Sequence, residues 1–254
     1  MSSTKIISAA AALAGAAGLG LGYRLRMSET SQAAGTFPYC GTADRRVVAL
    51  TFDDGPNDPY TGALAELLAD RQVPATFFQV GRCVERHPQR SKELAAAGHL
   101  IGNHSYRHRF DDYLRPDKFL ADVDRTQQII ADVTGTLPRH FRPPWLYRTP
   151  ALLAGIADRD LRVVSGRFCD PLEVLQPSSR RIARQAERRV EPGSMIIFHD
   201  GFDDRGGFRG RTVAAVGLLI DRLREVGYGF VTVDELLPVP CPGGSSARRP
   251  LDRA

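Results

Sequence analysis

The sequence predicts an α/β fold, a parallel sheet or a (β/α) barrel, on three observations. Short apolar runs rich in Val, Ile and Phe alternate with longer stretches whose apolar residues recur at helical spacing. The runs are continuously hydrophobic, as strands covered on both faces are. Each cluster of carboxylate or imidazole side chains falls just after one of these runs, so all of them would open on one face of the sheet. A chain of 254 residues, 43% hydrophobic and 25% charged, is long enough for one such domain with a full core.

In chain order, Val47-Val-Ala-Leu-Thr-Phe52 reads as a buried strand that stops at Asp53-Asp-Gly-Pro56. Residues 60–72 carry Leu64, Leu67 and Leu68 at helical spacing. A second strand covers 74–80, and a helix covers 85–97, ended by Gly98. Residues 99–102 make a short third strand, followed by a loop to Pro116. The helix over 117–133 has Phe119, Leu120, Val123, Ile129 and Ile130 on its apolar side and stops at Gly135. Strands at 140–144, 161–164, 194–198 and 229–233 then alternate with helices at 149–159, 178–190 and 211–226. The stripe Arg180, Arg184, Arg188 reads as a solvated helix face.

The ends differ in character. Lys5 precedes an uncharged run, residues 6–23, closed by Arg24 and Arg26. Residues 1–26 read as either a cleaved signal peptide or a membrane anchor held through 6–23, and either puts the domain on the extracytoplasmic side, secreted or at the outer face of the membrane or cell wall. Residues 27–44, polar with Ser, Gln, Gly and Pro, read as a linker, 45–237 as the domain, and 238–254 as a disordered tail. Of the four cysteines, Cys40 and Cys241 flank the domain and are placed to pair if its ends meet. The net charge of +5 reads first as a solvated basic surface. With no recognition motif beside it, no nucleic-acid partner is expected.

The chemistry begins at Asp53 and Asp54. Two adjacent carboxylates at a strand end repel unless something positive holds them, and a divalent metal is the simplest such partner. His104-Ser-Tyr-Arg-His108 follows the third strand, and its two imidazoles share one face if the segment is a helical turn. Two imidazoles and one carboxylate make an open three-ligand metal site.

Thr51-Phe-Asp-Asp-Gly-Pro56, His104-Ser-Tyr-Arg-His108, Arg142-Pro-Pro-Trp145 and Ile196-Ile-Phe-His199, in this order and at these spacings, resemble the motifs of the polysaccharide deacetylase family (the NodB-homology domain, carbohydrate esterase family 4). The likeness spans about residues 45–237. It implies a single catalytic domain, a distorted (β/α)7 barrel, and metal-dependent removal of acetyl groups from the N-acetylated sugars of peptidoglycan or a chitin-like oligosaccharide. It implies Asp54, His104 and His108 as ligands of a divalent metal, zinc first, with cobalt or manganese as alternatives. It implies Asp53 as general base, Arg142 as the partner that keeps it ionised, the Trp145 backbone N–H as an oxyanion donor, and His199 as general acid. Asp170 is the carboxylate expected to orient His199 and raise its pKa.

Independent chemistry agrees with such a set: amide hydrolysis needs a polarised carbonyl, a base for water, a donor for the oxyanion and an acid for the leaving amine. There are departures. Leu146 stands where the family often has Gly, the segment Ser165–Pro171 lacks the family's Trp, and Ile197 replaces a leucine. An O-acetyl esterase or other amidase on the same scaffold, and a non-catalytic glycan-binding module, are the competing readings. Tyr113, Trp145, Tyr147 and Phe202 suit either packing or stacking on sugar rings, and His87, His99 and His140 read as structural or exposed.

Overall fold

The computed structural model describes residues 21–42 and 44–237. Among these residues strands and α-helices follow one another in this order: β1 (Val47–Asp53), α1 (Tyr60–Asp70), β2 (Thr76–Gln79), α2 (Gly81–Arg86), α3 (Pro88–Ala96), β3 (Leu100–Asn103), α4 (Pro116–Thr134), β4 (His140–Phe141), α5 (Pro150–Ala157), β5 (Arg162–Val163), β6 (Arg167–Phe168), α6 (Ser179–Glu187), β7 (Met195–His199), α7 (Gly210–Glu225), β8 (Gly229–Phe230) and α8 (Val233–Leu236). The named strands pair in parallel in the order β5-β4-β3-β2-β1-β7-β6, and β8 joins the start of β1. The sheet curls with helices packed on it, the distorted barrel that the alternation and the motifs predict.

Burial explains the sequence of β1, where every residue after Val47 is buried. Phe52 stacks between Phe77 of β2 and Phe198 of β7, with ring centroids 5.0 and 5.8 Å away. α4 buries Phe119, Val123, Thr126 and Ile130, a helical stripe, and ends at Gly135, whose φ of 75° is the left-handed conformation of a helix stop.

Register positions the chemistry. Asp53 lies level with Phe78 on one side and His199 on the other. Asn103, just before His104, pairs with Phe141, just before Arg142. The four motif segments therefore leave the sheet side by side at its carboxyl end.

Several expectations change. The helix expected at 85–97 is two helices that begin earlier and break at His87, because Pro88 lacks the N–H that would continue the first and suits the start of the second. The last strand shortens to two residues, because Thr232 and Glu235 form a capping box that starts α8. The short strand β6 was not expected, because Arg167–Phe168 carry no apolar run.

Residues 27–42 do not behave as a linker. Phe37 is fully buried among Phe119, Phe141, Leu146 and Ile156. Phe37 is the one buried residue of the segment, so a single anchor in a mostly polar stretch left no periodic signal. Among the described residues no helix is long and apolar enough to cross a membrane. Residues 1–20, Cys241 and the tail 238–254 lie outside the described residues, so the leader up to residue 20, the Cys40–Cys241 pairing and the tail do as well, whereas residues 21–26 of the expected leader are helical.

Candidate active site

Asp53 and Asp54 sit at the end of β1, both 3% exposed. Asp54 has φ 76°, and both carboxylates face His104 Nε2, Asp53 Oδ2 at 4.0 Å and Asp54 Oδ1 at 3.3 Å. Gly55 follows because of space rather than dihedral freedom: a Cβ there would collide with the Asp200 carboxylate. Thr61 Oγ1 donates to Asp200 Oδ2 at 2.6 Å, and burial, then the charge of Asp54, raises the Asp200 carboxyl to about 7.

His104 and His108 do converge, but through a loop and not a helical turn. Ser105 and His108 both adopt positive φ (67° and 49°), which folds the segment back until the two rings lie 5.0 Å apart. Asp54 Oδ1 is 3.3 Å from His104 Nε2 and 3.1 Å from His108 Nε2. His104 Nδ1 lies 2.7 Å from the Arg142 carbonyl oxygen, which can only accept, so Nδ1 carries the proton and Nε2 presents its lone pair to Asp54 in the neutral ring. His108 Nδ1 is 3.0 Å from Asp203 Oδ1, off the line of a good hydrogen bond. Asp203 is a partner that no motif flagged, and its backbone N–H also donates to Asp54 Oδ2 at 3.1 Å.

These residues fit a divalent metal. Asp54 Oδ1 is buried with no hydrogen-bond donor, and it faces two imidazole nitrogens. Donors bound at about 2.0–2.1 Å around a tetrahedral cation stand about 3.3 Å apart, close to the separations here. The three ligand atoms all lie within 4.8 Å of one another, and the outer ring nitrogens face a carbonyl and a carboxylate, the partners that metal-binding imidazoles usually have. Burial would raise the Asp54 carboxyl, but His108 and His104 beside it hold it below the usual carboxylate range.

Arg142 is fully buried beneath Asp53. Its Nη1 donates to Asp53 Oδ1 and to Thr51 Oγ1, each at 2.7 Å, and Nη2 donates to the Ser165 carbonyl oxygen at 2.7 Å. The guanidinium lies over the Phe78 ring at 4.1 Å. Burial lowers its pKa while the charge of Asp53 and the hydrogen bond to it oppose the change.

His199 ends β7 opposite Asp53, and here the structure corrects one assignment. Its Nδ1 pairs with Glu173 Oε2 at 2.7 Å, not with Asp170. Asp170 lines the cleft, but its carboxylate accepts from Arg181 Nε and from the Leu172 backbone N–H, each at 2.9 Å. It shapes the turn that delivers Glu173 three residues later. The visible signal was an acid alone in the apolar turn Leu172-Glu-Val-Leu175; matching the first acid after the strand missed it. Glu173 is itself buried and also receives the Thr212 hydroxyl. Burial would lower the His199 pKa, but Glu173, then Asp54 and Asp53, raise it to about 9.

Trp145 has φ 53° and lays its ring against His108, with centroids 4.3 Å apart. Tyr113 and Tyr147 pack with Phe110 behind it, whereas Trp145 and Phe202 line the cleft. The cleft, about 400 Å³, brings together Asp53, Asp54, His104, His108, Trp145 and His199. The other histidines lie elsewhere: His99 accepts from the Ala75 N–H, and His140 faces Asp234 at 3.2 Å.

Comparison with known proteins gives one family. Residues 41–164 match the family described as Polysaccharide deacetylase. A peptidoglycan-N-acetylglucosamine deacetylase of Bacillus cereus is 31% identical over 195 residues, which cover 76% of this chain and 89% of that one. A chitooligosaccharide deacetylase of Azorhizobium caulinodans is 30% identical over 198 residues, 74% of this chain and 93% of that one. Among solved structures, a peptidoglycan N-acetylglucosamine deacetylase in complex with a naphthalenyl N-oxidanyl-benzamide superimposes with a TM-score of 0.73 at 28% identity, over 79% of this chain and 92% of that one.

Proposed function

The chain belongs to the polysaccharide deacetylase family, and on that premise we propose that it is a metal-dependent hydrolase that removes acetyl groups from N-acetylated sugars of peptidoglycan or a chitin-like glycan. The observation that carries the reading is the convergence, in one cleft, of Asp53 held by Arg142, an Asp54–His104–His108 triad, and His199 paired with Glu173.

Asp54, His104 and His108 would hold a divalent cation, zinc first, with cobalt or manganese as alternatives, and such a cation would supply polarisation of the amide carbonyl and a lowered pKa for the attacking water. Asp53 takes the proton from that water, and Arg142 keeps the carboxylate ionised and aimed. The backbone N–H of Trp145 adds a donor for the oxygen that gains charge. His199, on the other side of the site, gives its proton to the departing amine nitrogen, which leaves acetate and a free amino sugar. The glycan substrate and the apolar run 6–23 together support an extracytoplasmic place for the domain.

The test is acetate release from N-acetylglucosamine oligomers, peptidoglycan and an O-acetylated sugar, after chelation and after adding back zinc, cobalt or manganese. Release that requires metal, and that Asp53→Asn lowers by about 10²–10⁴ while metal still binds, supports the mechanism. Release indifferent to chelation or to Asp53→Asn overturns it.

A further inference from the structure

We infer that the segment ahead of the family-matched region is part of the substrate cleft: Tyr23 is a further specificity-determining residue that meets a neighbouring sugar unit, and Arg148 is the residue that positions it. The inference rests on the glycan substrate of the reading above, extends it to a residue outside the matched span, and places residues 21–26 with the folded domain rather than in a removed leader or a membrane-embedded anchor.

The sheet explains why such a segment is needed. Its ladder runs from β5 round to β6, and no pairing joins those two strands among the described residues. Residues 28–38 lie along that seam. The Ser165 N–H donates to the Pro38 carbonyl oxygen at 2.6 Å, Ser165 Oγ donates to the Glu29 carbonyl oxygen at 2.7 Å, and the Phe168 N–H donates to Glu29 Oε1 at 3.1 Å. Groups that an open edge would leave unpaired are thus satisfied by this strap. Ser165 is also the residue whose carbonyl oxygen receives Arg142, so the strap sits one residue from the support of Asp53.

Arg148 fastens the strap to the cleft wall. Its side chain is fully buried, with no carboxylate paired to it among the described residues. Nη2 donates to the carbonyl oxygens of Ser28 and Ser31 at 2.7 and 2.6 Å, Nη1 donates to that of Leu146 at 2.8 Å, and the guanidinium lies 4.2 Å from the Phe37 ring centroid. Its backbone N–H donates to the Arg26 carbonyl oxygen at 3.0 Å. A buried charge satisfied only by carbonyl dipoles is costly to maintain. Here it joins the strap to the loop that carries Trp145 and Leu146, both of which line the cleft.

Just ahead of this clamp, the helical residues 21–26 bring Tyr23 to the same cleft, and its carbonyl oxygen receives the Met27 N–H at 2.8 Å. Tyr23 is 56% exposed, whereas Asp53 and Asp54 on the floor are 3% exposed. It therefore stands at the rim, away from the reacting acetyl group. A flat ring with a polar tip suits the C–H face of a pyranose whose hydroxyls stay in water. A glycan long enough to reach the rim would meet it, and a short one would not fill that contact.

Trp145 is the only tryptophan of the chain, so its fluorescence reports ligand binding in the cleft independently of turnover. With the full-length, metal-loaded protein, binding of the N-acetylglucosamine dimer and tetramer is titrated by this signal, and acetate release is followed in parallel. Tyr23→Ala is expected to weaken tetramer binding by up to about tenfold, more than dimer binding, with the kinetic loss falling mainly on KM. Tyr23→Phe recovers most of it, and Leu21→Ala, on the same helical stretch but outside the cleft, behaves as wild type. Arg148→Met loses the same preference for the longer glycan, and Arg148→Lys regains part of it. Wild-type tetramer affinity and KM in Tyr23→Ala, or equal losses for dimer and tetramer, overturn the inference. So does a wild-type protein that binds neither oligomer. A wild type that binds the tetramer better than the dimer and releases no acetate defeats the deacetylase reading, while the Tyr23 comparison still decides this one.

Discussion

Replacing Glu173 by Gln tests the acid side of the site most sharply. Gln keeps the shape and an oxygen for His199 Nδ1–H but removes the charge. The rise of the His199 pKa from 6.5 to about 9 corresponds to about 3 kcal/mol of preference for the protonated ring. Glu173 is the largest contributor to that rise, with Asp54 and Asp53 behind it and burial opposing all three. Without Glu173 both of its contributions are lost while burial still disfavours the charged ring, so the ring falls back towards its ordinary value. At pH 8 the wild-type ring is then about 90% protonated and the variant ring about 3%, a difference of about thirtyfold, whereas at pH 6 both are mostly protonated. The reaction needs the protonated acid, so activity falls as pH rises through the His199 pKa. The assay is kcat/KM for acetate release from pH 5.5 to 9.5, with the imidazole titration followed by NMR. The descending limb is expected near 9 in the wild type and two or more pH units lower in Glu173→Gln. A limb that stays near 9 in the variant would refute the pairing of Glu173 with the catalytic proton. Stability follows the same sign. His199 is more basic folded than unfolded, so the wild type's advantage in Tm over Glu173→Gln is full below pH 6.5 and disappears as pH rises through about 9.

Two further outcomes separate the site from its scaffold. Asp54→Asn weakens a ligand while leaving the Arg142–Asp53 pair in place, so calorimetric titration with zinc should show affinity reduced by at least about tenfold; unchanged affinity would remove Asp54 from the metal set. Phe37→Ala empties a fully buried ring position, with an expected cost of about 3–5 kcal/mol and a fall in Tm of about 10 °C; a loss under about 1 kcal/mol would mean that residues 27–42 do act as a linker.

The strand order and the face that carries the chemistry were legible because they follow from local rules. Continuous apolar runs cannot be solvent-facing strands, and polar residues placed immediately after such runs must leave a parallel sheet at one end. Asp53, Asp54, His104, His108, Arg142 and His199 all stand at strand ends in the sequence; five of them meet in one cleft, and Arg142 lies buried beneath Asp53. Less legible was how they reach it. The His104–His108 loop bends through two positive-φ residues that nothing in Ser-Tyr-Arg announces. The partner of His199 lies three residues beyond the acid that the motif suggested, because the Asp170 carboxylate is used up in closing the turn.

By itself the sequence determined the fold class, the order of the elements and the identity of most polar groups at the site, because periodicity and turn residues act over a few residues at a time. Only the tertiary structure decided which acid faces His199, that Asp203 stands behind His108, and that residues 27–42 close the seam of the sheet. Those contacts join positions far apart in the chain, such as Arg148 with Ser28, and they are set by which backbone groups remain unpaired once the sheet has formed. That requirement exists only in three dimensions, so no local pattern of residues could express it.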